Sequence, residues 1–307
     1  MLRACLRAVT ARFRHGCDTL YYIPAPGKRG ALYRDWVVML LCRPFFKRLV
    51  LHWHAAGLDE WLATEGRGPE HWLTRQLLGR PDLSIVLGHS LIAGVESFTP
   101  KRAAVVFNGI NDPGQGERLA PPGGPLQVFF LGLCSEEKGL FAAADAVLAA
   151  NRALRAPKTE PKFTLVAAGG FPDFATGARF RELCDQHPAS LRYTGPVHGE
   201  EKTRLFRESH CLCLPTHYLP EGQPLVLLEA MAHDLPIVAT RWRAIPETLP
   251  SEALLVEPGD DEALKQALLK LRQDPPAAGI FRQRYLDCFT TEKHLAALSA
   301  SLQSIAR

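Results

Sequence analysis

Ten short apolar runs punctuate the chain, at residues 19–23, 48–53, 83–87, 103–107, 126–131, 163–168, 191–194, 211–214, 237–240 and 254–256. Each is too short for a helix, and the pattern predicts buried strands. Between them, apolar positions recur every three or four residues at 31–42, 69–78, 140–153, 180–187, 200–209, 261–271 and 291–305, which predicts helices. A further helix is expected to start at Pro224, whose fixed φ suits a first helical position, with Leu225, Leu228 and Ala232 on its buried face. Strands alternating with helices predict an α/β chain with parallel sheets covered on both faces. One stretch, 111–125, is dense in Gly and Pro and is expected to be a linker. The expected organisation is therefore a first domain over 1–110, a second over 126–285, and a terminal helix within 286–307 that packs back toward the first. There is no internal repeat and no low-complexity tail.

Charge adds an asymmetry to this picture. The 307 residues carry a net +4, but residues 1–50 hold ten Lys or Arg against Asp18 and Asp35, giving +8 and leaving −4 for the rest. A basic start suggests an anionic partner. Residues 1–14 place Arg3, Arg7, Arg12 and Arg14 among Leu, Val, Cys and Phe at helical spacing, which fits either a surface helix docked on a sheet or one facing an anionic membrane. Nucleic acid is a poor fit, because these arginines have no aromatic stacking platform beside them. No run of eighteen apolar residues exists, and the first fifteen residues lack the continuous apolar segment of a secretory signal. The eight cysteines are scattered; Cys211 and Cys213 share one face of an apolar run, with no second pair at zinc spacing, and fit buried thiols in a reducing cytoplasm.

The chemistry concentrates in residues 214–240, LPTHYLPEGQPLVLLEAMAHDLPIVAT. Glu221 stands in the loop before the expected helix. Glu229 lies within it, about 7.5 Å along the axis from Pro224. Between them fall the helix N-terminal N–H groups and the positive end of its dipole, a ready anion site. The loop over 131–139, LGLCSEEKG, brings a glycine that lets backbone approach a phosphate and a cation in Lys138. Gly169-Gly170 closes another strand. His52 and His54, two apart at the end of 48–53, face the same side of a strand and suit either a polar site or a core.

These residues resemble the donor-binding signature of glycosyltransferase family 4, in which two glutamates separated by seven residues hold a nucleotide sugar. The resemblance covers 19–305 and is most specific over 126–258. It implies a GT-B fold, two Rossmann-like doubly wound domains facing a cleft, and a retaining transfer of a hexosyl group from a nucleoside-diphosphate sugar to a hydroxyl acceptor. It implies no tightly bound cofactor and no protein-ligated metal, and the chain has no Asp-x-Asp motif between strand and loop. By the same resemblance Glu221, His54 and Lys138 are the catalytic candidates, with Lys138 neutralising the diphosphate. Glu229, Gly132, Gly169, Gly170, Gly222, Gln223, Pro224 and Leu225 are the candidate nucleotide-sugar contacts. Leu133 stands where the family often has Arg, which leaves more of the phosphate charge to Lys138 and the helix dipole. Residues 241–247, with Pro246 and Glu247, are expected to shape the cleft. The acceptor implied is a lipid-linked or growing cell-surface saccharide, the location cytoplasmic or peripheral on the inner face of the membrane. The alternative is a non-catalytic sugar-nucleotide-binding relative. Set against the family, the first domain is expected to lack an opening strand and its glycine-bearing loop, leaving 19–23 as an open edge prone to pair with a second copy.

Overall fold

The protein is described from a computed structural model covering all residues except 115, 117, 118, 120–123, 156–159, 306 and 307. The chain divides into two compact units. One comprises Met1–Asn108, Leu219–Gln223 and His294–Arg307; the other comprises Gly109–Tyr218 and Pro224–Lys293.

In the first unit, α1 (Leu2–His15) precedes β1 (Thr19–Tyr22), α2 (Arg29–Cys42), β2 (Arg48–Trp53), α3 (Leu58–Glu65), α4 (Gly68–Leu78), β3 (Leu83–Val86), α5 (Ile92–Glu96) and β4 (Ala103–Val105). The four strands are all parallel, in the order β1-β2-β3-β4. β1 pairs with β2 alone among the described residues and is an edge, with Tyr21 exposed. The strands are apolar because both sheet faces are covered. Val50, Leu83, Ile85 and Val106 form one cluster, and Leu298, Leu302 and Ile305 from the end of the chain pack against it. Asp35, fully buried on α2, accepts from the Tyr22 hydroxyl at 2.6 Å and the Ala25 N–H at 2.6 Å, tying the helix to the turn after β1. α1 rests on α2 through buried Cys5, with Arg12 Nε donating to the Phe45 carbonyl at 2.9 Å. Its adjoining side leaves Leu2, Leu6 and Phe13 at 65%, 68% and 70% exposure.

The second unit contains β5 (Leu126–Leu131), α6 (Leu140–Ala153), β6 (Phe163–Ala168), α7 (Phe174–Gln186), β7 (Leu191–Gly195), α8 (Gly199–Glu208), β8 (Cys211–Leu214), α9 (Leu225–Ala232), β9 (Ile237–Thr240), α10 (Ile245–Thr248), β10 (Leu254–Val256), α11 (Asp261–Gln273), α12 (Ile280–Cys288) and the start of α13 (Thr291–Gln303). Its parallel strands run β10-β9-β8-β5-β6-β7. The winding therefore reverses between β5 and β8, and a crevice at such a point, beyond the carboxyl ends of the strands, is where doubly wound sheets take ligands.

All ten expected strands are present and the α/β architecture holds. Several details differ. Residues 111–125 do not form a free linker throughout. Ile110 accepts from Thr291 N–H and donates to the Phe289 carbonyl, each at 3.0 Å, and Asp112 pairs with Arg282; the remainder of the stretch includes residues outside those described. The terminal segment is two helices, α12 in the second unit and α13, which passes to the first unit from His294. Pro224 is the residue before α9, with ψ 119°, and not its first turn. Leu225 is half-exposed, while Leu227, Leu228, Ala230, Met231 and Ala232 are all buried. The helix is enclosed on more than one side because α12 packs on it, held by Asp234, whose carboxylate accepts from Gly279 N–H at 2.6 Å and Arg282 N–H at 3.1 Å. α7 begins at Phe174, earlier than apolar spacing suggests, because Asp173 caps Thr176 N–H at 2.8 Å. Among the described residues no helix is long and apolar enough to cross a membrane.

Buried Asn151 fastens α6 to the start of β6: its Oδ1 accepts from the N–H groups of Lys162 and Phe163, both at 2.9 Å, and its Nδ2 donates to the Phe163 carbonyl at 2.9 Å. Asn151→Ala strands a buried N–H and is expected to cost about 2–3 kcal/mol. Urea unfolding of the two proteins side by side measures it; a change within about 0.5 kcal/mol would mean that the amide groups find other partners.

Candidate functional site

At the switch point of the second unit, β5 and β6 end in glycines that touch. A Cβ built on Gly169, at φ 138°, would lie 1.7 Å from the Gly132 carbonyl oxygen, so no other residue fits there. Gly132 and Gly170 themselves face open space. Backbone is thus exposed at the strand ends, with Gly132 N–H donating to the Ala168 carbonyl at 3.1 Å and Cys134 N–H to the Gly170 carbonyl at 2.8 Å. The chain then turns through Ser135, whose hydroxyl accepts from Lys138 N–H at 3.2 Å, before α6 starts. The Lys138 ammonium stands 4.9 Å from the centre of the Tyr218 ring, which comes from the loop after β8. That loop is pinned from two sides: the Thr240 hydroxyl donates to the Thr216 carbonyl, and Trp242 Nε1 donates to the Tyr218 carbonyl at 2.8 Å. Leu133 is exposed and brings no charge. Cys134, buried beneath the loop, has its thiol pushed up to about 12 by burial and stays protonated.

Glu229 is the fifth residue of α9, and its Oε1 accepts from the Lys202 ammonium of α8 at 2.7 Å. Sequence reasoning placed Glu229 but missed Lys202, since no local spacing links residues 27 apart on two helices. A cavity of about 220 Å³ opens beside Thr240 and the Lys138 loop and is lined by Glu136, Asp145, Arg179, His217, Glu257 and Asp260. Burial, with Asp261 nearby, raises the Asp145 carboxyl. So many carboxylates repel an anionic ligand, and the cavity is a poor phosphate site next to the Lys138 loop.

The first unit gathers a second group. Tyr21 OH is hydrogen-bonded to His52 Nδ1. The His52 and His54 rings lie 4.2 Å apart, and His294 stacks on His52 at 6.5 Å. His294 hydrogen-bonds the Phe107 carbonyl at 2.7 Å through Nδ1, which must therefore carry a proton. His52 is 1% exposed, and its Nε2 has no hydrogen-bond partner among the described residues. Burial, then the neighbouring His54 and His294, push His52 down to about 3. Partial desolvation and His294 lower His54 as well. His52 and His54 are therefore neutral imidazoles at pH 7. The sequence offered His52 and His54 as a pair; Tyr21 and His294, from distant elements, were not legible.

Glu221 belongs to this first unit, not to the one that holds Glu229. Its segment lies on the loop after β2: Ala56 N–H donates to the Pro220 carbonyl at 3.2 Å, and a Cβ on Gly222 would lie 2.5 Å from the His54 carbonyl oxygen. The Gln223 side chain accepts from Asn108 N–H at 2.7 Å. Glu221 is 7% exposed. Gly222 and Gln223, expected as ligand contacts, thus have structural work in seating Glu221 beside His54. Residues 241–247 include Trp242, which holds the Tyr218 loop, and Arg284 donates to the Glu247 carbonyl at 2.6 Å. Among the described residues no group of three or more His, Cys, Asp or Glu has a metal-holding arrangement.

Residues 125–274 match the family described as Glycosyl transferases group 1. The chain is 31% identical over 84 residues to O-antigen chain mannosyltransferase B of Escherichia coli, covering 27% of this chain and 22% of that one. It is 26% identical over 205 residues to WcaL of Salmonella typhimurium, whose name assigns it as a glycosyltransferase to colanic acid biosynthesis, covering 63% of this chain and 48% of that one. The chain spans less than half the length of these curated relatives. Among solved structures it is similar to sucrose-phosphate synthase from Thermosynechococcus elongatus, with TM-score 0.74, 20% identity, and coverage of 99% of this chain and 77% of that one. It is also similar to Anabaena HepE in complex with UDP, with TM-score 0.73, 17% identity, and coverage of 98% and 82%. At such identity the likeness is one of fold, and that fold is GT-B.

The buried histidines set a pH dependence. His52 is held near 3 and His233, by burial and the Arg207 and Arg282 guanidiniums, near 4, against about 6.5 unfolded. Below 6.5 the unfolded chain binds more protons than the folded one, so stability is full above that value and falls with pH beneath it. For His52 the loss is about 2 kcal/mol between pH 6.5 and 5. His52→Gln, which cannot titrate, is expected to lose correspondingly less over that window in denaturant unfolding. Equal losses in both proteins would show that the imidazole is protonated without cost.

Proposed function

From the match of residues 125–274 to the group 1 glycosyltransferases we propose that the chain transfers a hexosyl group from a nucleoside-diphosphate sugar to a hydroxyl acceptor, with retention of anomeric configuration. The observation that carries the proposal is the open glycine floor at the β5–β8 reversal, flanked by Lys138 and by the N-terminus of α9. As the glycosidic bond breaks, positive charge develops on the sugar and negative charge on the leaving diphosphate. A cation and helix N–H groups fixed beforehand at the diphosphate lower that barrier without reorganising. Lys138 is the cation, and the Tyr218 ring limits its freedom. Glu229 accepts from the ribose. Gly132, Gly169 and Gly170 admit phosphate and base against backbone, and Pro224 and Leu225 open the helix toward the anion. Glu221 orients hydroxyls of the donor sugar and His54, a neutral imidazole, contacts sugar or acceptor. No cofactor or metal is assigned. HepE is solved with UDP and with UDP-glucose, which supports a nucleotide sugar as donor here. The names of the curated relatives support an acceptor in surface polysaccharide or glycolipid synthesis.

The acceptor side includes a membrane. On α1, Leu2, Leu6, Val9 and Phe13 fall on one stripe, with Arg3, Arg7 and Arg14 on the adjoining face and no acid in the helix. That arrangement suits an anionic bilayer on which a lipid-linked acceptor is presented.

Two measurements test the reading. With labelled UDP-, GDP- and ADP-hexoses, one donor should give transfer or slow hydrolysis. Lys138→Ala should lower turnover and weaken the nucleoside diphosphate while leaving the free nucleoside untouched, by about ten- to a hundredfold for a charged hydrogen bond. Donor binding without any turnover would instead favour a non-catalytic sugar-nucleotide binder. Sedimentation with phosphatidylglycerol vesicles should fall with added salt and on changing Arg3, Arg7 and Arg14 to Gln. Sedimentation indifferent to lipid charge and salt would remove the membrane from the account.

A further inference from the structure

The ion pair of Lys202 and Glu229 is half-finished. Its two side chains are 32% and 24% exposed, so it is neither a buried lock nor a solvated surface contact. One carboxylate oxygen meets the ammonium at 2.7 Å, while Oε2 accepts no hydrogen bond among the described residues. An ammonium has three N–H donors, and among the described residues only this one bond engages the Lys202 side chain. The pair therefore offers an open acceptor next to open donors, with spacing fixed by two helices. Each helix is held independently: α9 by α12 through Asp234, and α8 by Phe206, buried on β5 against Phe129 at 5.1 Å.

A vicinal diol is the complement of such a pair, because one hydroxyl donates to the carboxylate while its neighbour accepts from the ammonium. We propose that Lys202 and Glu229 together read the cis-diol of the donor's ribose, with Lys202 a binding residue in its own right. This rests on the assignment of Glu229 to the donor nucleotide. A lone glutamate would accept equally from one hydroxyl or from water. The charge pair is left with unpaired groups when a hydroxyl is missing, and sites built that way reject the deficient analogue strongly.

The test is calorimetric titration of the full chain with UDP, GDP and ADP, followed by the 2′-deoxy and 2′,3′-dideoxy forms of the tightest. The wild type should prefer the ribonucleotide over the dideoxy form by about tenfold or more. Lys202→Met should reduce that preference severalfold by weakening the ribonucleotide while leaving the dideoxy affinity unchanged, and Lys202→Arg should restore part of it. In turnover, Lys202→Met should raise KM for the donor more than it lowers kcat. If Lys202→Met weakens ribo and dideoxy forms alike, the lysine only clamps α8 to α9 and the proposal falls. A wild type that binds nucleoside diphosphates without preferring ribose also overturns it, while leaving the nucleotide donor in place. A wild type that binds none of them removes the donor assignment itself, and the diol reader with it. Lys202→Gln stands in should the Met variant not fold, with circular dichroism melting as the check.

Discussion

The placement of β8 against β5, on the side away from β6, governs the second unit. Parallel strands send their following helices back from the same end of the sheet, so every loop of functional interest leaves the carboxyl edge. Where the order reverses, the loop after β5 and the loop after β8 diverge around an opening that side chains do not fill. The Gly132–Gly169 contact, at the ends of β5 and β6, keeps the floor beside that opening lined with backbone, and Lys138, from one loop, rests on Tyr218, from the other. A sheet wound in one direction only, as in the first unit with its β1-β2-β3-β4 order, has no such point. That unit contributes its polar groups by a different route, with His294 and the Leu219–Gln223 segment arriving from distant parts of the sequence.

The two groups of polar residues are handled by opposite electrostatic means. In the second unit, charge is kept: Lys138 and the Lys202–Glu229 pair stay partly in contact with water, where ionised groups cost little. In the first, charge is withheld. His52, His54 and His294 crowd together, and protonating His52 or His54 is opposed by burial and by the neighbouring rings. A neutral imidazole retains one donor and one acceptor nitrogen, which suits hydroxyl groups better than phosphates.

How much of this was legible follows from range. Strands were readable because burial on both faces makes each an unbroken apolar run, and all ten were found from that signal alone. The glycines and Lys138 were readable because a backbone-lined turn and a cation before a helix are local features. The short helices α3, α5 and α12 escaped notice because apolar periodicity needs more turns than they have. Pro224 was misplaced by one position, since a fixed φ fits the residue before a helix as well as its first turn. What the sequence hid was long-range: Lys202 on Glu229, Tyr21 on His52, His294 on the Phe107 carbonyl, and the seating of Glu221 beside His54 by Gly222. Two glutamates separated by seven residues look like one site on one helix and its loop, yet the chain between them passes from one unit to the other.

That passage is informative about why the stretch has its composition. From Leu219 to Gln223 the backbone must satisfy itself against the first unit, and it does so with the Pro220 carbonyl and the Gln223 side chain. One residue later the chain must begin a helix enclosed by the second. Pro224 suits the change: its φ of −63° serves both extended and helical neighbours, and it has no N–H to leave unpaired at the crossing. Gly222 removes the one side chain that would collide with the His54 carbonyl. The glycine, glutamine and proline after Glu221 are thus explained by the backbone's path before any ligand is considered. The two glutamates at either end are different: no fold requirement evident in the structure calls for Glu229 to leave one carboxylate oxygen open beside an ammonium with donors to spare, and it is that residual valence that points to a ligand.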